Sequence, residues 1–195
     1  MTTSAYPYPT INCLAFVAYS GSRIVVDRYY VTGQPSAAAY PAIAAAGVTS
    51  VLCVREPGEP AVPPPVPPPP PFDTTEAAAL GTLGVSYQNI PITREMSQQQ
   101  FDLAATEAAL TLFENAVYGP ALIHCSTGDR ASSAFAVLLI LLADLSNSDA
   151  VDYATNALLL ANASMIALVQ GYAPPQSMTA QIQAARSSFA KRGTL

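Results

Sequence analysis

The sequence predicts one α/β domain, with a mostly parallel central sheet flanked by helices. The chain has 195 residues, of which 51% are hydrophobic and 11% charged, so it can bury a sizeable core and is too apolar to be disordered. Strand-like and helix-like segments alternate along it, as they do in α/β proteins. The run PALIHC at 120–125 is short and apolar, which is typical of strands buried in a parallel sheet. We therefore treat residues 1–195 as a single domain.

The first third of the chain predicts a strand, a helix and a second strand, followed by a loop. RIVVDRYYV (23–31) and VTSVLCVR (48–55) are rich in β-branched residues and bounded by turn formers, as strands are. Between them, Ser36 can cap an alanine-rich helix that stops at Gly47. The segment 57–72, PGEPAVPPPVPPPPPF, predicts a surface loop, because proline excludes both helix interiors and central strands.

The proline-rich loop at 57–72 has two interpretations. A polyproline II segment is what proline-recognition domains bind, so it could be a docking site for such a partner. It could equally be a stiff insertion without a partner. The sequence contains no reader for the motif, which favours the insertion.

The middle of the chain continues the alternation of helix and strand. Asp73 followed by Glu76 has the spacing of a capping box and predicts the start of a helix. VSYQNIPI (85–92) predicts a strand. Ser97 can cap a third helix over 97–116, whose apolar residues recur at near-helical spacing.

The last third, which includes a helical C-terminal part at 146–195, is predicted to be helical. ASSAFAVLLILLADL (131–145) is apolar on all sides but has only about a dozen apolar residues, fewer than the ~20 needed to span a bilayer, so it predicts a central core helix. A helix over 148–163 can be capped by Ser148 or Asp149. Another is expected over 176–192, ending in basic residues and Gly193.

Charge and composition argue against several classes of partner and location. The formal charge is −5, and the eight Lys and Arg are spread from Arg23 to Arg192, so no basic patch predicts nucleic-acid binding. The start, MTTSAYPYPT, has no basic region followed by a long apolar run, so we expect no secretory signal, no membrane partner and a cytoplasmic location.

The cysteine pattern predicts neither a disulfide framework nor a structural metal. The three cysteines are an odd number without C-x2-C pairing, and a single His cannot complete an ordinary zinc site. Cys13 and Cys53 lie in apolar runs, where we expect small buried hydrophobic residues. Only Cys125 has neighbours that suggest chemistry.

The stretch HCSTGDR joins the buried strand to the core helix, at the crevice where α/β proteins bind ligands. Backbone N–H groups at 126–131 lack helical partners there and point, with the helix dipole, at an anion above Cys125. Gly128 lets the backbone turn without a Cβ in the way. The loop is therefore a predicted anion site, with the substrate-binding residues Ser126, Thr127, Gly128, Asp129 and Ala131.

The electrostatic field of the helix N-terminus also predicts a nucleophile. A thiol at a helix N-terminus beside Arg130 has its thiolate stabilised, so Cys125 would react at neutral pH. The planar Arg130 fork matches two oxygens of a phosphate or sulfate. Ser132 or Ser133 could donate a hydroxyl to the sulfur, and His124 could orient the loop. A buried Cys in an ordinary turn is the alternative, but the combination of these residues favours the site.

The loop resembles the signature of cysteine-dependent protein phosphatases, H-C-x-x-G-x-x-R-[ST]. It departs at one position, because Ala131 stands where the signature has arginine and Arg130 comes one residue early. Rhodanese sulfurtransferases show the same six-residue C-x-x-G-x-R loop. The residues that match the phosphatase signature are His124, Cys125, Gly128 and Ser132.

Further motifs resemble the β-lactamase-hydrolase-like phosphatase family, a relative of dual-specificity phosphatases. These motifs are GQPS at 33–36, V-x-x-x-R-x-x-x-E at 51–59, a strand ending in I-P, and the shortened loop itself. The resemblance covers roughly residues 28–145. It implies a protein tyrosine phosphatase-like fold in which Cys125 and Arg130 are the active pair.

The resemblance also implies an activity, the hydrolysis of phosphate monoesters through a phosphocysteine without metal or organic cofactor. Phosphotyrosine and phosphoserine or phosphothreonine are the candidate substrates. Such phosphatases supply an aspartic acid some thirty residues before the cysteine to protonate the leaving oxygen. The corresponding window, PITREMSQ, has Glu95 and no Asp, so Glu95 is the expected acid, with Asp102 and Asp129 as poorer candidates. Arg94 could help to bind an anionic substrate.

Two other functions remain open at this point. One is a rhodanese-like sulfurtransferase, in which Cys125 carries a persulfide. The other is a non-catalytic pseudophosphatase or scaffold that binds phosphate at the same loop.

Overall fold

The chain folds around one six-stranded sheet. The computed structural model describes the backbone of residues 11–12, 23–26, 28–59 and 72–192. The strands are β1 (Ile11–Asn12), β2 (Arg23–Val26), β3 (Tyr29–Thr32), β4 (Ser50–Cys53), β5 (Ser86–Asn89) and β6 (Ala121–His124). Their order in the sheet is β1-β2-β3-β6-β4-β5. Because β3, β6, β4 and β5 are parallel and β1 and β2 antiparallel, the predicted mostly parallel sheet is confirmed.

Seven α-helices accompany the sheet within the part of the chain that the structure describes. They are α1 (Tyr40–Ala45), α2 (Phe72–Thr82), α3 (Gln98–Asn115), α4 (Asp129–Leu142), α5 (Asn147–Ala157), α6 (Ala163–Gln170) and α7 (Thr179–Arg192). A 3-10 turn precedes α1 and another precedes α7. None of these helices is long and apolar enough to cross a membrane. The predictions for the first ten residues, Cys13, most of the proline-rich loop and Gly193 fall outside the described residues.

One predicted strand is a hairpin. Residues 23–31 were expected to form a single strand, but Val26 pairs with Tyr29 and Arg23 with Thr32, so the run folds back as antiparallel β2 and β3. The β-branched and aromatic composition is the same for one long strand and two short ones, so it does not reveal the reversal.

Of the caps predicted for four helices, only the one at Ser97 is right. Ser36 precedes the 3-10 turn before α1, makes no capping side-chain hydrogen bond, and the residue before α1 itself is Ala39. Ser97 caps α3, where its side chain accepts the Gln100 N–H and the Gln100 side chain completes a capping box. Helix α2 begins at Phe72, so Asp73 lies inside it, and Glu76 is wholly buried instead of serving the helix end. A capping-box spacing alone does not distinguish a cap from a buried carboxylate with a tertiary partner.

The cap of helix α5 lies two residues before Ser148 and three before Asp149, the two caps that the sequence suggested. Its cap is Ser146, which accepts the Asp149 N–H, and not Ser148 or Asp149. The predicted helix over 148–163 also stops at Ala157, and α6 starts afresh after its own cap, Asn162. The leucines between the two helices continue the apolar pattern, so the sequence does not show where α5 ends and α6 begins.

Apolar side chains lie on both faces of the sheet because alternate strand residues point to opposite sides. Tyr30, Val51 and Leu122 pack against α1 and α2. Their neighbours Val31, Leu52 and Ile123 lie in the larger core with α3 to α7. Helix α4, buried along its whole length, is the centre of that core, as the sequence predicted.

The sheet positions the site through its carboxyl edge. Because β3, β6, β4 and β5 are parallel, the loops that follow them emerge at the same edge. The HCSTGDR loop follows β6, which lies between β3 and β4. Residues 33–36, 54–59 and 90–97 therefore surround this loop.

Candidate active site

Cys125 lies where β6 ends and α4 is about to begin. Its side chain is fully buried, and the Gly128 N–H donates a hydrogen bond to Sγ at 3.1 Å. Gly128 has φ 103° and is the N-cap of α4. The sulfur is thus held by a backbone donor at the amino end of the most buried helix, where the dipole favours negative charge. This is the strand, turn and helix arrangement that the sequence predicted.

Gly128 cannot accept a side chain without strain, which gives a stability prediction. Its φ lies in the left-handed region, and a Cβ would come within 2.7 Å of the Leu159 Cβ. We expect Gly128→Ala to lower the free energy of unfolding by about 1–3 kcal/mol. Gly81→Ala, in α2 with open space around it, should raise that free energy by about 0.5 kcal/mol. Urea unfolding of both variants measures the contrast, and equal effects would contradict it.

The Arg130 side chain is held from one edge by Glu59. Nη1 and Nη2 donate to the two Glu59 carboxylate oxygens at 2.8 and 2.7 Å, and Nη1 also donates to the Ile92 carbonyl at 3.2 Å. Burial opposes the charge, but Glu59 and Cys125 raise the pKa of Arg130 above its usual value. The Arg130 Nε is buried and has no hydrogen-bond partner among the described residues.

An unpaired buried donor is costly, of the order of 1–3 kcal/mol. Arg130 retains one because Glu59 takes the outer two nitrogens and leaves Nε without an oxygen partner, while the Cys125 sulfur interacts with the guanidinium and raises its pKa. An oxyanion held above Cys125 would satisfy that donor. The arrangement therefore fits a bound phosphate or sulfate group, for which the guanidinium is pre-oriented.

The GQPS motif fixes the loop from the β3 side. The Gln34 N–H donates to the Ser126 carbonyl at 3.0 Å. Gly33 allows this close approach, since a Cβ there would lie 3.0 Å from the same oxygen. The Gln34 side-chain oxygen accepts from Arg55 Nη1 at 2.7 Å, and Arg55 Nη2 donates to the Glu59 carbonyl at 3.0 Å. A continuous polar network thus runs from Gln34 through Arg55 and Glu59 to Arg130.

Sequence reasoning did not assign roles to Gln34, Arg55 or Glu59. Arg55 is fully buried although it is an arginine, because Gln34 and Glu59 accept its hydrogen bonds. The V-x-x-x-R-x-x-x-E pattern was the only signal for the last two residues. It predicted a family resemblance and not the ion pair with Arg130.

His124 faces the other side of the sheet from Cys125 and forms a buried pair with Glu76. Its Nε2 lies 3.3 Å from Glu76 Oε1, and both side chains are fully buried. Burial disfavours the imidazolium, but the Glu76 charge and the nearby Cys53 thiol raise the pKa of His124 well above 6.5. Gln34 Nε2 donates to the same carboxylate, which joins this pair to the loop network. His124 is therefore connected to the loop through Glu76 and Gln34, whose backbone N–H donates to the Ser126 carbonyl.

The Cys53, Glu76 and His124 side chains bring three potential metal ligands within 4.8 Å of one another. A metal would need the lone pair of a neutral imidazole, whereas the buried Glu76 carboxylate stabilises the protonated ring. Burial and Glu76 also raise the pKa of Tyr40, which hydrogen-bonds the same carboxylate. The surroundings of Glu76 thus favour an ion pair with His124 over a metal centre.

This ion pair predicts a pH-dependent contribution to stability. Because the folded-state pKa of His124 lies above its unfolded value, the contribution is complete below about pH 6.5 and is lost as pH rises through the folded pKa. The difference in unfolding free energy between wild type and His124→Asn should therefore be largest near pH 6 and shrink towards pH 9. Urea unfolding across this range tests it. A constant difference would mean that His124 is neutral when folded, and Glu76→Gln should flatten the dependence.

A cleft of about 240 Å³ opens at the edge of the sheet beside the loop. Glu95 and Arg94 are exposed in its wall, beside the half-buried Thr93. Cys125 is fully buried and does not itself line the cleft, although its neighbour Ser126 does. The residues lining the cleft are Glu56, Glu59, Thr93, Arg94, Glu95, Ser126, Thr127 and Arg130.

The other two candidate acids are engaged elsewhere. Asp102 lies on α3, accepts a hydrogen bond from Gln98 at 2.8 Å, and does not line the cleft. Asp129 accepts the N–H groups of Ala161 and Asn162 on Oδ1, both at 2.8 Å, and the Thr127 hydroxyl on Oδ2 at 2.8 Å. Asp129 thus ties the loop to the segment between α5 and α6, and only its backbone remains to meet an anion.

The predicted serines differ in what they contact. The Ser133 hydroxyl donates to the carbonyls of Asp129 and Arg130, inside its own helix, so it does not serve the sulfur. Ser132 Oγ accepts the Leu159 N–H at 3.0 Å, which does not use its own hydrogen. Ser132 is therefore the serine still able to donate. Ala131 is fully buried at the start of α4.

The sheet order, the central helix and the cysteine loop together define the fold of the protein tyrosine phosphatase-like class. TpbA of P. aeruginosa, solved in complex with pTyr, has this fold with a TM-score of 0.60 at 14% identity, covering 96% of this chain and 99% of that one. The core catalytic domain of the PP-IP phosphatase SIW14 of S. cerevisiae, solved with citrate, also gives 0.60 at 16% identity, covering 91% and 97%. PTPMT1 gives 0.53 at 13% identity, covering 85% and 96%.

The resemblance predicted from the sequence is also confirmed by a curated protein. A β-lactamase hydrolase-like protein of Agrobacterium fabrum (strain C58) is 28% identical over 134 residues, which is 65% of this chain. The matching part spans only 27% of that protein's length. No protein-family model matches the chain.

Proposed function

We propose that the protein is a cysteine-dependent phosphatase that hydrolyses phosphate monoesters through a phosphocysteine. The observation that carries the proposal is the pairing of Cys125 with Arg130: the sulfur accepts the Gly128 N–H, and the guanidinium that Glu59 holds interacts with the same sulfur. The fold shared with phosphatases and the likeness to the β-lactamase hydrolase-like protein support it. Because the curated relative is much longer, the proposal concerns the reaction of this chain alone.

We assign the first chemical step to Cys125. The Cys125 thiolate attacks phosphorus, and the bond from phosphorus to the ester oxygen breaks. The amino end of α4 and the Arg130 Nε hold the three equatorial oxygens, over which negative charge is spread in the transition state. Substrate contacts come from the backbone of Ser126, Thr127, Gly128, Asp129 and Ala131.

The second step returns the enzyme to its starting state. Water attacks phosphorus, the bond to sulfur breaks, and inorganic phosphate leaves with the Cys125 thiolate restored. We assign proton transfer in both steps to Glu95, which protonates the leaving oxygen first and then accepts a proton from water. Ser132 donates its hydroxyl to the departing sulfur. Glu59 is a positioning residue, since it acts through Arg130.

Glu95 is the acid to test by mutation. We expect Glu95→Gln to lower kcat about 100-fold for phenyl phosphate, whose leaving group needs a proton. The loss should be much smaller for 4-nitrophenyl phosphate, whose leaving group is stable as an anion. Asp102→Asn, which lies outside the cleft, serves as the comparison. If Asp102→Asn showed the leaving-group-dependent loss and Glu95→Gln did not, the acid would be misassigned.

Hydrolysis of 4-nitrophenyl phosphate, inhibited by vanadate and unaffected by chelators, is the direct test of the proposed reaction. A protein that binds phosphate or vanadate without turnover would instead be the non-catalytic alternative. A protein that acquires one sulfur atom on Cys125 from thiosulfate, and hydrolyses no phosphate ester, would be a sulfurtransferase. Either of these last two results would contradict the phosphatase proposal.

A further inference from the structure

The lining of the cleft carries more negative than positive side chains, which is unusual for a site that must attract a phosphate. Three glutamates, Glu56, Glu59 and Glu95, face two arginines, Arg94 and Arg130. A phosphate monoester itself carries a charge of about −1.5 to −2 at neutral pH. Uncompensated carboxylates around such a group weaken its binding unless the substrate supplies positive charge as well.

Two of these carboxylates are unpaired. Glu59 is bound to Arg130, and Arg94 lies 3.7 Å from Asp129. Glu56 and Glu95 are both exposed, and neither forms a salt bridge within the described residues. Glu56 follows β4 and Glu95 follows β5, so the two carboxyl groups stand on separate loops that line the cleft. The proposed acid role requires Glu95 to be protonated when substrate binds, so Glu56 is the carboxylate that keeps an unpaired charge there.

No other cation whose side chain the structure describes lines the cleft; these cations are Arg28, Arg55, Arg186 and Lys191. Arg55 is fully buried in the loop network. Arg28 lies at the opposite edge of the sheet, where β3 and β6 begin, and Arg186 is bound to the Leu141 carbonyl and Asp144. The sequence from Pro57 to Thr93, which includes the proline-rich segment attached to Glu59, contains no Lys or Arg at all.

From this distribution we infer that the cleft selects phosphorylated peptides with Lys or Arg next to the phosphorylated residue, and disfavours polyphosphates. The inference rests on the proposed phosphatase activity. One phosphate is accommodated by the α4 amino end and Arg130, but a second would meet the Glu56 carboxylate without a counter-charge. A peptide chain can place a cation beside its phosphorylated residue, where it would meet Glu56. Repulsion between like charges thus disfavours polyphosphates as substrates.

The test compares kcat/KM for three phosphotyrosyl peptides that differ only in flanking residues, which are basic, neutral or acidic, and for inorganic triphosphate. We expect the basic peptide to exceed the acidic one by at least about tenfold at low salt, and the difference to shrink at high salt because exposed charges are screened. Triphosphate should be the poorest substrate. Equal rates, a preference for the acidic peptide, or faster cleavage of triphosphate would overturn the inference.

Charge reversal at one residue distinguishes a local effect of the cleft from an effect of the protein's net charge. Glu56→Lys should reduce the ratio of basic to acidic peptide about fivefold. Glu107→Lys changes the net charge equally but lies exposed on α3 away from the cleft, and should leave the ratio unchanged. An equal effect of both variants would contradict a local role for Glu56.

Failure of the inference about charge preference can be distinguished from failure of the proposed phosphatase activity. If no phosphate ester is hydrolysed, the phosphatase proposal fails, yet binding of non-hydrolysable phosphonate versions of the three peptides still reports the charge preference. If esters are hydrolysed without charge preference, only the inference about the substrate fails.

Discussion

Replacing Cys125 with Ser is expected to lower kcat for aryl phosphates by at least about ten-thousandfold, because a serine hydroxyl at this position lacks a base to activate it. The loop should keep its shape, since the Gly128 N–H can donate to an oxygen as it does to sulfur. Stopped assays with 4-nitrophenyl phosphate measure the loss. Binding of a phosphotyrosyl peptide, measured by calorimetry, should remain within about threefold of wild type.

Cys53→Ala is the matched control, because it removes the other described cysteine. Cys53 faces the opposite side of the sheet from Cys125, beside His124. We expect this variant to lose stability and to retain turnover. Activity that survives in Cys125→Ser but disappears in Cys53→Ala would show that the wrong cysteine has been assigned.

Replacing Arg130 with Lys is expected to lower kcat/KM by about 100- to 1000-fold, although the charge is kept. A lysine cannot bind both Glu59 oxygens and a phosphate at the same time, and the loss of one transition-state donor alone costs that much. Steady-state kinetics should show the loss mainly in kcat. Arg28→Lys, at the far edge of the sheet, is the control for the substitution itself and should have no effect.

The same contacts predict a graded result at Glu59. Removing its charge in Glu59→Gln leaves one hydrogen-bond acceptor for Arg130, so the effect should be smaller than that of Arg130→Lys, about tenfold in kcat/KM. Arg130 would then still be present but less well oriented. If Glu59→Gln were as damaging as Arg130→Lys, or increased activity, Glu59 would not be a positioning residue.

Local patterns sufficed to predict the cysteine loop because its residues are close in sequence. The apolar strand, the glycine and the apolar helix are each encoded within a few positions, so β6, Gly128 and α4 could be predicted together. The shortened distance from Cys125 to Arg130 was visible in the same way. The family motifs added the fold, which the structure confirms.

The polar network under the loop was not predictable, because it joins residues that are distant in sequence. Arg130 and Glu59 are 71 positions apart, and Gln34 and Glu76 are 42 apart. Glu76 looked like part of a helix cap and is a buried partner of His124. Strand composition did not show the reversal between β2 and β3 either. One long strand and a hairpin of two short strands can have the same composition, and they differ only in how the residues pair.

Trapping the covalent intermediate tests the central claim most directly. Wild-type protein quenched in acid during turnover of an aryl phosphate, then digested and examined by mass spectrometry, should carry one phosphoryl group, on the peptide that contains Cys125. Cys125→Ser should carry none on that peptide under the same conditions. Phosphate on another residue, or steady turnover with no modified peptide, would contradict a phosphocysteine mechanism.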